Sequence, residues 1–452
     1  GAEHPRQTVS PIVSRPRRQQ VGAPADGDQS NRIDGSTTRC FTRCRVVESQ
    51  PAAGEHRGSD LAHDAVGQVF GGGTAREQVG LRLHEEPFGR IAETHLVPLG
   101  QRVDDLRDLD LGLAAGDIGF AEAYMAGEWD SPHLAALLET LVDNYDHIRR
   151  LFDGNWLMMA VNWLSHRSNR NSRTGSKKNI HAHYDLGNDF FTAMLDESMA
   201  YSCGYWADAA TLNDAQTAKL DLVCRKLGLE PGMRLLDVGC GWGSLLAHAA
   251  QRYGARCVGL TISQAQAELA RTRCAGLPVE VALVDYRRYA ARATQRFDRI
   301  ASVGMFEHVG CKNYPDFCKI AHQLLAADGL MLLHTIGKTH HRGTTDPWTN
   351  RYIFPNGQLP VLGQIADAAD PNFVIEDMHN FGADYDRTLM AWHERFTRSW
   401  PTFEARFGAR FQRMWRYYLL SCAGAFRARN LQLWQLVLAP GGVAGGYRRP
   451  RL

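Results

Sequence analysis

Residues 231–438 predict an α/β fold: a doubly wound, mostly parallel sheet. Three observations predict it. Short apolar runs alternate with amphipathic stretches of helical period, which is the pattern of repeated β–α units. One apolar run, Leu235-Leu236-Asp237-Val238, passes into Gly239-Cys240-Gly241-Trp242-Gly243 and continues at once as a helical pattern from Ser244. That is a strand–turn–helix unit with side chains removed where backbone approaches a ligand. The chain has 452 residues, 44% hydrophobic and 22% charged, so it can hold two or three domains of ordinary globular composition.

Taken in order, residues 1–110 read differently from the rest. They contain no Lys, Met, Trp or Tyr, and their periodicity is poor. Two readings stand side by side: a disordered segment with too little apolar surface to offset chain entropy, or translated sequence foreign to the native protein, which the absence of an initial Met fits. Residues 111–165 predict a helical N-terminal domain. It opens at 117–125 with Trp129 and continues over 132–163 with apolar residues at three- and four-residue spacing. Residues 166–180 read as a polar, basic linker, and His181 and His183 follow it. The main domain is expected at 181–440. Its strands are predicted at 234–238, 257–260, 279–284, 299–303, 329–335 and 431–438, and its helices at 244–252, 263–275, 314–326, 386–407 and 411–429. Residues 338–370, rich in Pro, Gly and aromatics, read as an insertion, and 441–452 as a flexible tail.

Lys+Arg of 51 against Asp+Glu of 49 leaves a formal charge of +2, which argues against a nucleic-acid binder and permits a local basic patch. No apolar run approaches the ~18 residues needed to span a bilayer, and no signal peptide is legible. The ten cysteines are scattered through apparent core elements, a usage that suits a reducing cytoplasm. Cys40 and Cys44 have neither zinc-knuckle spacing nor a partner pair, and no acid or thiol set accompanies His181 and His183, so no metal is expected.

Dinucleotide sites favour G-x-G-x-x-G; here the spacing is G-x-G-x-G with Asp237 ahead of it. An acid there suits a ligand with an amino group, such as the methionine part of S-adenosylmethionine; a tight turn with packing glycines is the plainer alternative. The second strand ends Val258-Gly259-Leu260-Thr261-Ile262-Ser263, without the Asp or Glu that commonly holds ribose hydroxyls. Thr261 and Gln266 are the polar groups available, and Ser263 is placed to cap the next helix. Asp285-Tyr286 follows the third strand and can contact adenine. With Asp237, Gly239, Gly241 and Gly243, these residues outline a nucleoside pocket at successive strand ends.

Longer strings surround this unit. They are His183-Tyr184-Asp185-Leu186-Gly187-Asn188-Asp189-Phe190-Phe191, Tyr201-Ser202-Cys203-Gly204-Tyr205-Trp206, Gly304-Met305-Phe306-Glu307-His308-Val309-Gly310, His334-Thr335-Ile336-Gly337, Phe381-Gly382-Ala383-Asp384-Tyr385-Asp386 and Ser421-Cys422-Ala423-Gly424-Ala425-Phe426-Arg427. From residue 116 to 438 the chain resembles the cyclopropane-fatty-acyl-phospholipid synthases, relatives of the mycolic acid cyclopropane synthases. The resemblance implies a seven-stranded, Rossmann-like sheet of the class I S-adenosylmethionine-dependent methyltransferase type. It also implies transfer of a methylene group from S-adenosylmethionine to the cis double bond of a phospholipid acyl chain. By motif match, Tyr201, Ser202, Gly239, Gly241, Thr261, Gln266, Asp285 and Tyr286 would line the donor site. Bicarbonate would be held by Cys203, Glu307, His334, Ile336 and Tyr385. Cys422 falls on a cysteine regarded as reactive in the family, although no step needs a thiolate, and a small buried hydrophobe is the plainer reading.

The chemistry sets the requirements. An alkene that attacks a sulfonium methyl becomes a carbocation, so the pocket must be dry and must hold a base near the new methyl group. The resemblance further implies a cytoplasmic enzyme acting at the inner face of the membrane, a hydrophobic tunnel for the acyl chain, and a homodimer. Phe190, Phe191, Met194, Met199, Tyr352, Phe354, Trp392, Phe396, Trp415, Tyr417 and Tyr418 are candidate walls, with simple core as their alternative. Trp129, Trp156, Leu157, Met158, Met159 and Trp163 make the helical domain the candidate lipid-facing piece. A methyltransferase of another acceptor and a silent lipid- or S-adenosylmethionine-binding module remain alternatives.

Overall fold

A computed structural model describes residues 116–144, 186–339 and 346–450, all within one compact unit, residues 71–452. The expectations for residues 1–110, the linker 166–180, His181, His183, Trp156, Leu157, Met158, Met159 and Trp163 lie outside the described residues.

Seven strands form one sheet: β1 Arg234–Val238, β2 Arg256–Thr261, β3 Val279–Leu283, β4 Phe297–Val303, β5 Leu325–Lys338, β6 Val374–Asn380 and β7 Leu431–Ala439. Their spatial order is β3-β2-β1-β4-β5-β7-β6. β1 to β5 pair in parallel, and β7 runs antiparallel to both β5 and β6. Leu235 and Leu236 of β1 and Met331, Leu332 and Leu333 of β5 are fully buried. Central parallel strands are covered on both faces, hence these apolar runs. The sheet order reverses beside β1, so the turn after β1 opens into the crevice where such sheets bind ligands.

Before the sheet come α1 Gly116–Ala126, α2 Leu134–Asp143, α3 Asn188–Met194 and α4 Leu212–Lys226. The crossovers carry α5 Ser244–Tyr253, α6 Gln264–Arg273, α7 Tyr286–Ala290, α8 Tyr314–Leu324, α9 Pro347–Tyr352 and α10 Leu362–Ala369, and α11 Asp384–Arg427 precedes the last strand. Ser263 caps α6 by accepting from the Gln266 backbone, as the sequence suggested. α11 is two helices broken at Gly408, whose φ of +74° few side chains tolerate.

Four differences from the sequence reading have physical causes. The sequence reading assigned no strand at 374–380. β6 is the outer edge of the sheet, and with Val374, Ile375 and Met378 exposed beside Glu376 and Asp377 it shows no apolar alternation. The supposed insertion 338–370 contains α10, whose Ile365, Ala368 and Ala369 pack in the core with Phe317 and Ala321 of α8. It is therefore part of the regular β5–β6 crossover. The tail at 441–450 is tied to β6: Val443 N donates to Glu376 Oε1 (2.6 Å), and Arg449 forks onto Asp377. Finally, Trp129 is buried and donates to the Phe120 carbonyl at 2.9 Å. Phe120, Tyr124, Leu134, Leu137 and Leu138 share one core with α11. A Cβ at Gly424 would stand 2.8 Å from Glu139 N, so α2 and α11 pack almost backbone to backbone. The buried apolar residues of α1 and α2 thus pack against α11.

Candidate active site

The turn after β1 forms one wall of a cleft at the carboxyl ends of β1, β2, β3 and β4. Nine of the expected donor-site residues line it: Tyr201, Ser202, Asp237, Gly239, Gly241, Thr261, Gln266, Asp285 and Tyr286. Gly239 (φ +93°) and Gly241 (φ +53°) hold left-handed backbone. Beyond a Cβ at Gly241 there is open space, which leaves its backbone accessible. Gly243 is not on the lining. Its Cβ would come within 3.1 Å of Ala270, so it serves helix packing.

Around the cleft, polar groups hold one another. Thr261 Oγ1 donates to Gln266 Oε1 (2.9 Å) and accepts from Ser263 N (3.2 Å). Asp285 caps α7 and receives Arg287 at 2.9 and 2.6 Å, so its carboxylate is steadied by a cation that also lines the cleft. Burial pushes the Tyr286 hydroxyl up to about 12, so it stays a neutral donor. Asp237 is buried, one of its oxygens has no hydrogen-bond partner, and burial pushes it up to about 7 against the opposing pull of Lys219.

Lys219 is the residue the sequence reading missed. It sits on α4, fully buried, and its Nζ donates to Ser202 Oγ at 2.9 Å. Burial pushes it down to about 8, so it remains charged at neutral pH. The sequence marks only the start of α4, where Thr211 and Asp214 form a capping box; that the face carrying Gln216 and Lys219 is buried comes from the fold.

A second group lies deeper. Cys203, Glu307, His334 and Tyr385 are all buried. Burial pushes the Tyr385 hydroxyl well up, and Cys203, Glu307, Tyr201 and Cys422 are the titratable groups near enough to act on it. Those five residues therefore share one neighbourhood. Glu307 follows β4 in a short 3-10 turn, and its Oε1 accepts the Ile336 N–H at 2.7 Å. The Ile336 amide is thus already engaged by Glu307 rather than left for an anion. Burial pushes Glu307 up to about 7, while the bond from Ile336 pulls it down, and its Oε2 has no partner. His334 Nδ1 faces Gln435 Nε2 at 3.2 Å; an amide N–H donates there, which leaves the ring proton on Nε2, buried and without a partner. Burial, then the Lys219 and Lys226 charges, hold His334 neutral. Cys203 lies 3.8 Å from Thr388 Oγ1, and burial holds it as a thiol. Burial pushes Cys422 up to about 12, so no thiolate stands there.

Aromatic rings join the two groups. Tyr201 lines the cleft, its hydroxyl meets that of Tyr418 at 3.0 Å, and its ring lies 5.1 Å from Trp392. Trp392 in turn lies 6.1 Å from Tyr385. The expected tunnel walls, Phe190, Phe191, Met194, Met199, Trp392, Phe396, Trp415, Tyr417 and Tyr418, with Tyr352 and Phe354 against them, belong to this one cluster. Trp242 of the glycine turn is anchored to it through Asn188 Oδ1 (2.9 Å). Among the described residues, no group of acids, histidines and cysteines is arranged to hold a metal ion.

Comparison with known proteins agrees with this geometry. The family model described as mycolic acid cyclopropane synthetase matches residues 171–436. The chain is 47% identical over 343 residues to the cyclopropane-fatty-acyl-phospholipid synthase of Escherichia coli strain K12, covering 75% of this chain and 87% of that protein. It is 35% identical over 349 residues to the tuberculostearic acid methyltransferase UfaA1 of Mycobacterium tuberculosis, covering 72% of this chain and 79% of that one. Among solved structures, the mycolic acid cyclopropane synthase CmaA1 complexed with SAH and CTAB superposes with a TM-score of 0.54 and 36% identity, covering 58% of this chain and 97% of that one.

Proposed function

The chain belongs to the mycolic acid cyclopropane synthetase family, and from that premise we propose that it moves a methylene group from S-adenosylmethionine onto the cis double bond of an unsaturated phospholipid acyl chain. It is an S-adenosylmethionine-dependent methyltransferase. The single observation that carries the reading is the 47% identity spanning 87% of the Escherichia coli synthase.

S-adenosylmethionine supplies an electrophilic methyl carbon. Asp237, Ser202, Thr261, Gln266, Asp285 and Tyr286 would hold the donor, and Tyr201 both lines the cleft and packs against the aromatic cluster. The alkene attacks, and positive charge develops on the acyl chain. Water would capture it; the burial of Cys203, Glu307, His334 and Tyr385 supports a dry chamber. The ring faces of Tyr201, Tyr385 and Trp392 can stabilise the cation by ~2 kcal/mol each when desolvated.

One proton must then leave the transferred carbon so that the ring closes. The residues present fit a small oxyanion. His334 Nε2 is a buried donor without a partner, the Tyr385 hydroxyl is neutral, and Glu307, with a pKa of about 7, can donate from Oε2 when protonated. Bicarbonate bound there would supply the base. Glu307 would orient it and relay the proton.

No described helix is long and apolar enough to cross a membrane. The protein would meet its substrate from the cytoplasm at the inner bilayer face, as a peripheral homodimer. Likeness to the tuberculostearic acid methyltransferase favours a second reading with the same first step, in which the cation loses a proton from a chain carbon and ends as a methyl-branched alkene. The test supplies methyl-labelled S-adenosylmethionine to vesicles of mono-unsaturated phospholipid and identifies the acyl products by mass. A labelled acyl chain heavier by one CH2, with its alkene gone, supports the first reading. Label found only in a water-soluble acceptor overturns both.

A further inference from the structure

Lys219 has no part in the chemistry described so far. It is a lysine with 2% of its surface exposed at the floor of the donor cleft, a position charged residues rarely occupy without a role. Among the described residues its one hydrogen bond goes to Ser202 Oγ, and no carboxylate stands at ion-pair distance. Asp196, the charge that favours the ammonium most, is occupied by the backbone amides of Ser198 and Ala200 at 2.8 and 2.9 Å. One turn earlier on the same helix, Gln216 Nε2 donates to the Ser202 carbonyl at 2.8 Å. α4 thus grips the Tyr201-Ser202 segment by backbone and by hydroxyl.

An ammonium has donors only. Ser202 Oγ must therefore accept from Lys219, and its own proton is left to point elsewhere. Asp237, which lines the same cleft, has a buried oxygen with no partner. One end of the cleft therefore holds a buried cation and a buried acid, the complement of a zwitterion.

Resting on the methyl-donor reading above, we propose that Lys219 is a positioning residue that makes this end of the cleft select an α-amino acid: it orients the Ser202 hydroxyl to donate to the methionyl carboxylate, while Asp237 receives the adjacent ammonium. The selected ligand class is an adenosyl sulfonium that keeps its carboxylate. Decarboxylated S-adenosylmethionine, which has the same sulfonium and amine, is discriminated against.

The experiment measures binding of S-adenosylmethionine and of decarboxylated S-adenosylmethionine by calorimetry at pH 7, using the full chain and the Lys219→Met variant. A charge-assisted bond is lost, so affinity for S-adenosylmethionine falls about 10- to 100-fold. Affinity for the decarboxylated analogue falls about tenfold less than that for S-adenosylmethionine, because it loses only what the weakened Asp237 contact costs and has no carboxylate to lose a partner. Equal loss for both ligands, or no loss for either, overturns the proposal. If Lys219→Met does not fold, Lys219→Gln, which keeps a donor without the charge, is read by the same criterion. Failure of the unsubstituted protein to bind S-adenosylmethionine sinks the functional reading itself, and this proposal with it.

Discussion

The donor cleft and the chamber around Tyr385 each contain a buried carboxyl group pushed up to about 7 by burial, yet the two acids are held differently. Asp237 shares the donor cleft with the Lys219 cation, which draws it down against its burial. Glu307 is answered by neutral donors, chiefly the Ile336 amide, beside aromatic rings. The cleft is built for a charged ligand that arrives from water. On the mechanism proposed above, the buried group around Tyr385 would meet a charge that exists only during reaction. The Lys219 charge pulls Asp237 towards the anion that a bound ammonium needs, whereas Glu307 has only neutral donors against its burial and can gain and lose a proton.

That contrast breaks first at Glu307. Glu307→Gln keeps an acceptor for the Ile336 amide but cannot move a proton. It is expected to lower kcat about 10²–10⁴-fold and to leave the affinity for S-adenosylmethionine within about twofold; steady-state rates and a binding isotherm check both. A matching loss of donor affinity would merge the two regions into one.

The same variant sharpens the comparison through stability. Glu307 moves from 4.5 in the unfolded chain to about 7 in the folded one. The folded state thus binds more protons between those values, and stability falls as pH rises through that window. Folding to a charged Glu307 costs roughly 3 kcal/mol above pH 7. Glu307→Gln is therefore expected to be more stable by a cost of that order at pH 8 and to show no gain near pH 4, read by urea denaturation at both.

In the glycine turn, Gly243→Ala meets Ala270 and a φ of +84°, and should cost about 1–2 kcal/mol of stability while donor affinity holds. Gly241→Ala enters open space on the cleft wall and should weaken donor binding more than it destabilises. Thermal melts with and without S-adenosylmethionine separate the two. The smallest effect belongs to Cys422→Ala. With the thiol pushed up to about 12, no nucleophile is lost, and kcat should stay within about twofold.

How much of this was legible follows the same division. The cleft is local: strand, glycine turn and helix are contiguous, so spacing alone found Asp237, Gly239 and Gly241, and successive strand ends supplied Thr261, Gln266, Asp285 and Tyr286. Gly243 carries the same motif letter but packs on a distant helix, which spacing cannot express. The chamber is assembled from segments around 203, 307, 334, 385 and 422. Nothing in composition or period joins them; the family resemblance named them, and the fold brings Cys203, Glu307, Tyr385 and Cys422 into one neighbourhood. Lys219 escaped because a charged residue on a helix reads as solvated, and only the fold turns that face inward. β6 escaped because an edge strand with polar neighbours has no apolar signature.

The most direct test of the chamber follows the hydrogens of the transferred carbon. With a donor carrying a trideuterated methyl group and mono-unsaturated phospholipid vesicles, loss of one proton during ring closure predicts an acyl product that retains two deuterons and has no alkene. A product that retains all three deuterons would mean that no base acts on that carbon, and the role assigned to Glu307, His334 and Tyr385 would be contradicted.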